Sequence, residues 1–177
     1  MNMIRIISST NRPGAVSYKI AKHYQQLLTG LGAESEIIDL ADMPDDFVAS
    51  ALYHNGGKNE AFNPIRAKMK ETEKYVFIIP EYNGSFPGVL KTFIDGLEFP
   101  ATFTGKKAAL VGLSAGVQGA VLAMSHLTDI FHYCGTNVLA QKPKLARIGS
   151  AMNDAGEITN ELYLKLLADQ AKAFLEF

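Results

Sequence analysis

The chain has 177 residues, 47% hydrophobic and 20% charged, with a net charge of −1 at neutral pH. That length suits one domain with a sizeable core and is too short for two comfortable ones, and the composition excludes a disordered segment. The near-neutral balance and a pI of ≈ 6.4 lack the basic excess of a nucleic-acid binder and the strong acidity of a charge-steered electron carrier.

A single cysteine, Cys134, excludes an internal disulfide and a cysteine-built zinc site, and suits a reducing compartment. The N-terminal stretch MNMIRIISST is too short for the core of a signal peptide, and no apolar run approaches the length of a membrane span. The expectation is a soluble cytoplasmic protein, residues 1–177 forming one domain, with no internal repeat or linker.

In chain order, Ile4–Ile7 is a β-branched run broken by Ser8, Ser9, Thr10 and Asn11, and reads as a first strand. Ile20, Tyr24, Leu27, Leu28 and Leu31 follow at helical spacing, closed by Gly30 and Gly32. Residues 34–40 read as a second strand. Residues 41–73 are the least legible, ending in a helix over 64–73. The nearly all-apolar run at 75–79 has the signature of a central strand covered on both faces. Leu90, Phe93, Ile94 and Leu97 then mark a helix, and 108–113 another buried strand. A third helix carries Ala120, Met124, Leu127 and Phe131. Residues 137–139 make a short last strand, and Thr159 is the expected cap of a final helix with Tyr163, Leu166, Leu167, Ala171 and Phe174 inward.

Strands alternating with helices imply an α/β fold with a parallel sheet covered on both faces. Right-handed crossovers make a doubly wound, flavodoxin-like, five-stranded order 2-1-3-4-5 the simplest solution. Ligands of such sheets bind beyond the carboxyl ends of the strands, where three loops rich in Gly, Ser, Asn or Pro fall: 8–17, 80–87 and 114–119.

The first loop, SSTNRPGAVS, offers hydroxyls at Ser8, Ser9, Thr10 and Ser17 and a guanidinium at Arg12, ahead of a helix N-terminus. That donor set suits a phosphate monoester, although Ser, Asn, Pro and Gly also make an ordinary capping turn. It is neither a P-loop nor a G-x-G-x-x-G fingerprint. The second loop, PEYNGSFPG, reads equally as a strand-to-helix turn or as the wall of a flat ligand, with the backbone amides of 82–85 facing ring heteroatoms and Tyr82 as a packing surface. In the third, SAGVQG, Gly116 and Gly119 would let a planar group approach the backbone. The four histidines are scattered, no metal-ligand spacing occurs, and Ser114 lacks the G-x-S-x-G elbow of a hydrolase.

The run Pro80-Glu81-Tyr82-Asn83-Gly84-Ser85-x-Pro87-Gly88-Val89-Leu90-Lys91-x-x-x-Asp95 closely resembles the signature of the NAD(P)H-dependent FMN reductase family, a flavodoxin-like group with azoreductase-, quinone reductase- and chromate reductase-like members. The first loop is similar to that family's phosphate loop, and Ser114-x-Gly116-x-x-Gly119 to its third flavin-contacting loop. Three positions depart from the pattern: Ser8 where Gly is usual, Gly96 where Trp is frequent, and Ala120 where a second Gly is common.

The resemblance implies FMN as cofactor and NAD(P)H as co-substrate. Ser9, Thr10, Arg12 and Ser17 would hold the phosphate. Pro80, Glu81, Tyr82, Asn83 and Gly84 would line the isoalloxazine, mostly through backbone N–H groups, with Ser114 and Gly116 closing its pyrimidine side. It further implies a ping-pong reaction, hydride passing from NAD(P)H to FMN and then to a small-molecule acceptor such as a flavin, quinone or azo compound. No catalytic side chain and no metal are required. The implied assembly is a homodimer or homotetramer with the flavin near the subunit boundary, to which 53–59 or 99–103 contribute. Two other readings share the fold: a flavodoxin-like FMN-binding protein without significant turnover, acting as a sensor or partner, and a one-electron flavodoxin. Near-neutral charge and the lack of a T-x-T-G-N-T phosphate loop count against the last.

Overall fold

In the computed structural model, which describes residues 3–177, strands pair in the order β2-β1-β3-β4-β5 and every named pair is parallel. These are β1 (Ile4–Ser8), β2 (Ser35–Asp39), β3 (Lys74–Pro80), β4 (Lys107–Leu113) and β5 (Asn137–Val138). The order is the doubly wound one expected. The edge beyond β4 differs: β5 pairs only with the start of β4, while a sixth strand, β6 (Lys144–Leu145), pairs with its end. Pro143, which has no N–H to give to a ladder, lies between the two short strands. Its carbonyl still accepts from Gly112 N at 2.9 Å. A single terminal strand was expected, and the excursion through 139–143 divides it.

Among the described residues six helices cover the sheet: α1 (Val16–Gly30), α2 (Phe47–Ser50), α3 (Asn63–Glu71), α4 (Gly88–Gly96), α5 (Val121–Tyr133) and α6 (Glu161–Glu176). The strands are apolar on both faces because side chains alternate across a sheet that is buried twice. Ile7, Phe77, Ile79 and Leu110 face a core with Phe93, Leu127 and Phe131 of α4 and α5. Ile6, Val76, Ile78 and Val111 face the opposite core with Ile20, Tyr24, Leu28, Leu167 and Phe174 of α1 and α6.

The cap of α6 is Asn160, whose side chain accepts from Tyr163 N at 3.1 Å. Thr159, expected there, instead turns its hydroxyl to Ala151 O at 3.3 Å. Residues 40–71 fold as two 3-10 turns, α2 and α3, tied by side-chain amides: Asn55 to Ala49 O and Asn63 to Gly57 O. Phe47 and Phe62 anchor the segment against Phe93. Gly96 leaves room for this packing, since a Cβ there would stand 3.0 Å from the Phe62 ring.

Candidate functional site

Parallel pairing brings the carboxyl ends of β1, β3 and β4 to one edge, so the loops after them meet. In the loop after β1, Ser8, Ser9 and Thr10 are fully buried and Ser17 nearly so. Ser8 and Ser17 share a hydroxyl–hydroxyl hydrogen bond of 3.2 Å. Ser9 is spent internally: its N–H donates to Ile78 O at 3.1 Å and its hydroxyl to Ile7 O at 3.2 Å. Thr10 Oγ1 accepts from Arg12 N at 3.3 Å and lies 2.9 Å from the Tyr82 hydroxyl. Either hydroxyl can donate in that contact, and when Tyr82 does, the Thr10 proton is available to a ligand. The N-cap of α1, Ala15, has no side-chain cap, and the first turn holds no acidic residue. The start of α1 therefore keeps open N–H groups and an uncompensated positive dipole end. Arg12 is exposed and forms no ion pair among the described residues.

The loop after β3 is a tight turn. Tyr82 N donates to Ser85 O at 2.8 Å and Ser85 N to Tyr82 O at 3.0 Å. Asn83 at φ 51 and Gly84 at φ 73 fill the two central positions, the left-handed pair that defines a type I′ turn and that Asn-Gly adopts readily. This geometry corrects the expectation that most of the loop's amides are free for a ligand. Those of Tyr82 and Ser85 close the turn, and that of Glu81 donates to Leu113 O at 3.0 Å. Asn83 and Gly84 keep the unpartnered N–H groups of the turn. The side chains bridge outward instead: Tyr82 to Thr10, Glu81 Oε2 to Ala120 N at 2.9 Å, and Ser85 Oγ to His126 Nδ1 at 3.0 Å.

In the loop after β4, the Ser114 hydroxyl donates to Gly116 O at 2.9 Å and accepts from Gly119 N at 2.8 Å. Gly119, at φ 59, is small for a packing reason, because a Cβ there would stand 2.9 Å from Lys144 Cβ. A Cβ on Gly116 would meet no atom within 4 Å. Residues 147 and 148 buttress this loop: Arg147 N donates to Gly116 O at 2.8 Å and Ile148 N to Ser114 O at 3.0 Å.

The three loops enclose a cleft of ≈ 300 Å³, at the lower end of the range for small-molecule sites. Of the residues singled out in the sequence, Thr10, Arg12, Ser17, Pro80, Glu81, Tyr82 and Ser114 line it. Ser9, Asn83, Gly84 and Gly116 do not. The cleft also takes in Pro13 to Val16, Leu113, Ala115 and Ile148. The open start of α1 explains the first of these; Ile148 carries no sequence signal, since only its backbone bond to Ser114 brings it in. The donor set fits the phosphate end of FMN: helix amides, a threonine hydroxyl and an unpaired guanidinium converge where no carboxylate from α1 competes.

The sequence profile of the NADPH-dependent FMN reductases matches residues 2–146. An NAD(P)H-dependent FMN reductase of Pseudomonas aeruginosa is 32% identical over 177 aligned residues, covering 94% of this chain and 90% of that one. A 2-hydroxy-1,4-benzoquinone reductase of a Burkholderia species is 30% identical over 125 residues, covering 66% and 67%. Among solved structures, the flavoenzyme NAD(P)H:(acceptor) oxidoreductase FerB of Paracoccus denitrificans superposes with a TM-score of 0.79 at 26% identity, covering 99% and 96%. The profile match spans all three loops of the cleft, and the chain belongs to the NADPH-dependent FMN reductase family.

Proposed function

We propose that this cleft holds FMN and that the protein, an FMN-dependent NAD(P)H oxidoreductase by family, passes electrons to a small quinone, flavin or azo acceptor. Bound FMN supplies the redox chemistry, accepting a hydride from NAD(P)H and reducing the acceptor in ping-pong order. The chain supplies position and charge. Thr10, Arg12, Ser17 and the first turn of α1 take the phosphate, and Ser9 braces that loop from beneath through Ile7 and Ile78. Pro80, Glu81 and Tyr82 form one wall of the cleft and Ser114 the other. Asn83, Gly84 and Gly116 lie outside its lining, and serve the part of the isoalloxazine that extends past Tyr82 and Ser114, the first two through their free backbone N–H groups. The acceptor class follows the benzoquinone reductase among the relatives.

The observation that carries the reading is the open, acid-free start of α1 behind Thr10 and Arg12. Its test compares FMN with riboflavin, which lacks the phosphate, by quenching of flavin fluorescence. The reading requires FMN to bind at least tenfold more tightly; equal affinity would remove the phosphate assignment.

One domain over 1–177 carries the site, and the single cysteine suits the cytoplasm. Among the described residues no helix is long and apolar enough to cross a membrane. For the assembly we propose a homodimer or homotetramer built on the outer side of α4 and α5. Tyr53, Phe99 and Tyr133 are exposed around an apolar groove floored by Ile94 and Leu97, and Leu122 is exposed at the start of α5. Aromatic surface of this kind marks an interface, and a second copy there would lie beside the His126–Ser85 contact. Light scattering that returned a monomer mass would contradict this.

A further inference from the structure

Helix α5 begins without a capping side chain of its own. Its N-cap is Ala120, a fully buried residue held at φ 61. A residue with a Cβ is strained in that left-handed region, and the conformation persists only where the surroundings over-determine it. The surroundings here come from two different loops. Ser114 Oγ accepts from Gly119 N at 2.8 Å, and Glu81 Oε2 accepts from the next amide, Ala120 N, at 2.9 Å. Two consecutive N–H groups ahead of α5, otherwise orphaned as at any helix start, are thus satisfied by one residue of the third loop and one of the second. Glu81 reaches across from the carboxyl end of β3, at the positive end of the α5 dipole, while lining the cleft.

We infer that the Glu81 carboxylate is the clasp that holds the third loop in its cleft-forming shape, a positioning residue that couples the two walls of the site. Tyr82 extends the same coupling to the first loop through Thr10, so adjacent side chains of the second loop tie down both of its neighbours. The clasp stands on this structure alone; only its effect on FMN rests on the flavin reading of the cleft. It makes no demand on proton transfer. What it requires at position 81 is a side-chain oxygen that accepts.

The test uses the full chain with Glu81→Ala and Glu81→Gln, the latter keeping an acceptor oxygen and losing the charge. Hydrogen exchange on the flavin-free protein reads the clasp directly. Glu81→Ala should speed exchange of the amides at 117–122 about fivefold, the equivalent of the ~1 kcal/mol a lost cap costs, with β1 and β3 unchanged. Its FMN affinity, by fluorescence quenching, should fall by a similar factor, and Glu81→Gln should recover most of both. Unchanged exchange at 117–122 in Glu81→Ala overturns the inference. So does a Glu81→Gln as defective as Glu81→Ala, or faster exchange spread over the whole sheet. Should the wild type bind no FMN, the flavin reading fails while the exchange measurement still decides the clasp.

Discussion

Replacing Gly112 with alanine sets two physical effects of opposite sign against each other. Glycine inside a strand costs ~0.5–1 kcal/mol relative to alanine, so in open space the substitution would stabilise. Position 112 of β4 is not open: a Cβ would stand 2.4 Å from Gly119 O, 2.8 Å from Met124 Cε and 3.0 Å from Ala120 Cβ. Met124 can swing its terminal methyl away, but the Gly119 carbonyl belongs to the third loop and has no room to retreat. Gly119 N is held by Ser114 at 2.8 Å, and its other side abuts Lys144. Ordinary contact begins at 3.4 Å, so the loop must move by about 1 Å, the difference between 3.4 and 2.4 Å. Overpacking of this kind against backbone costs about 2–3 kcal/mol, which after the ~0.5–1 kcal/mol gain leaves a net loss of about 1–2.5 kcal/mol and lowers Tm by about 2–10 °C in a domain of this size. The displaced wall should also weaken FMN binding about tenfold, since displacements near 1 Å are felt strongly at binding sites. Thermal unfolding of the flavin-free protein followed by FMN titration reads both effects. A Gly112→Ala variant as stable as the wild type, or more so, would refute the packing described for the third loop.

Arg12→Ala should weaken FMN binding by about 1.5–3 kcal/mol, the range for a hydrogen bond to a charged group, and leave riboflavin affinity unchanged; equal losses for both flavins would detach Arg12 from the phosphate. Asn83→Pro imposes φ near −65° where the turn needs φ 51 and deletes one of its two free N–H groups. Flavin affinity should fall in that variant while Asn83→Gly stays near wild type, and a normal flavin spectrum and turnover in the proline variant would reject the backbone role. Burial holds the pKa of His23 below its ordinary 6.5, and its Nε2 has no hydrogen-bond partner among the described residues. The unfolded chain therefore binds the proton more readily, and stability present above about pH 6.5 declines as pH falls toward the folded value. Unfolding midpoints at pH 7.5 and 5.5 should differ less in His23→Gln than in the wild type, and identical differences would contradict the assignment.

The sheet was legible because its signal is local. The apolar runs that became β3 and β4, and the periodic stripes of α1, α4, α5 and α6, each carry their pattern within one element. The cleft was legible as three loops at the carboxyl ends of strands. The duties of the side chains were not legible. Glu81 meets Ala120, Tyr82 meets Thr10 and Ser85 meets His126 across gaps of 39, 72 and 41 residues, and no local period encodes such pairings. The expectation of ring-facing amides in the second loop narrows to Asn83 and Gly84 for the same reason, since those of Glu81, Tyr82 and Ser85 bond within the protein. Gly119 looked like an opening for a ligand and is a contact with Lys144. The division of the edge strand into β5 and β6 was hidden because each piece is only two residues long.

The most direct measurement is the absorbance of the purified, FMN-loaded protein followed under anaerobic conditions as NADPH, NADH and then a quinone are added. The proposed function predicts that a reduced nicotinamide bleaches the bound flavin's visible band and that the quinone restores it, cycle after cycle. A flavin that binds but is bleached by neither nucleotide would mark a binding protein without turnover, and a chain that takes up no FMN at all would contradict the assignment of the cleft.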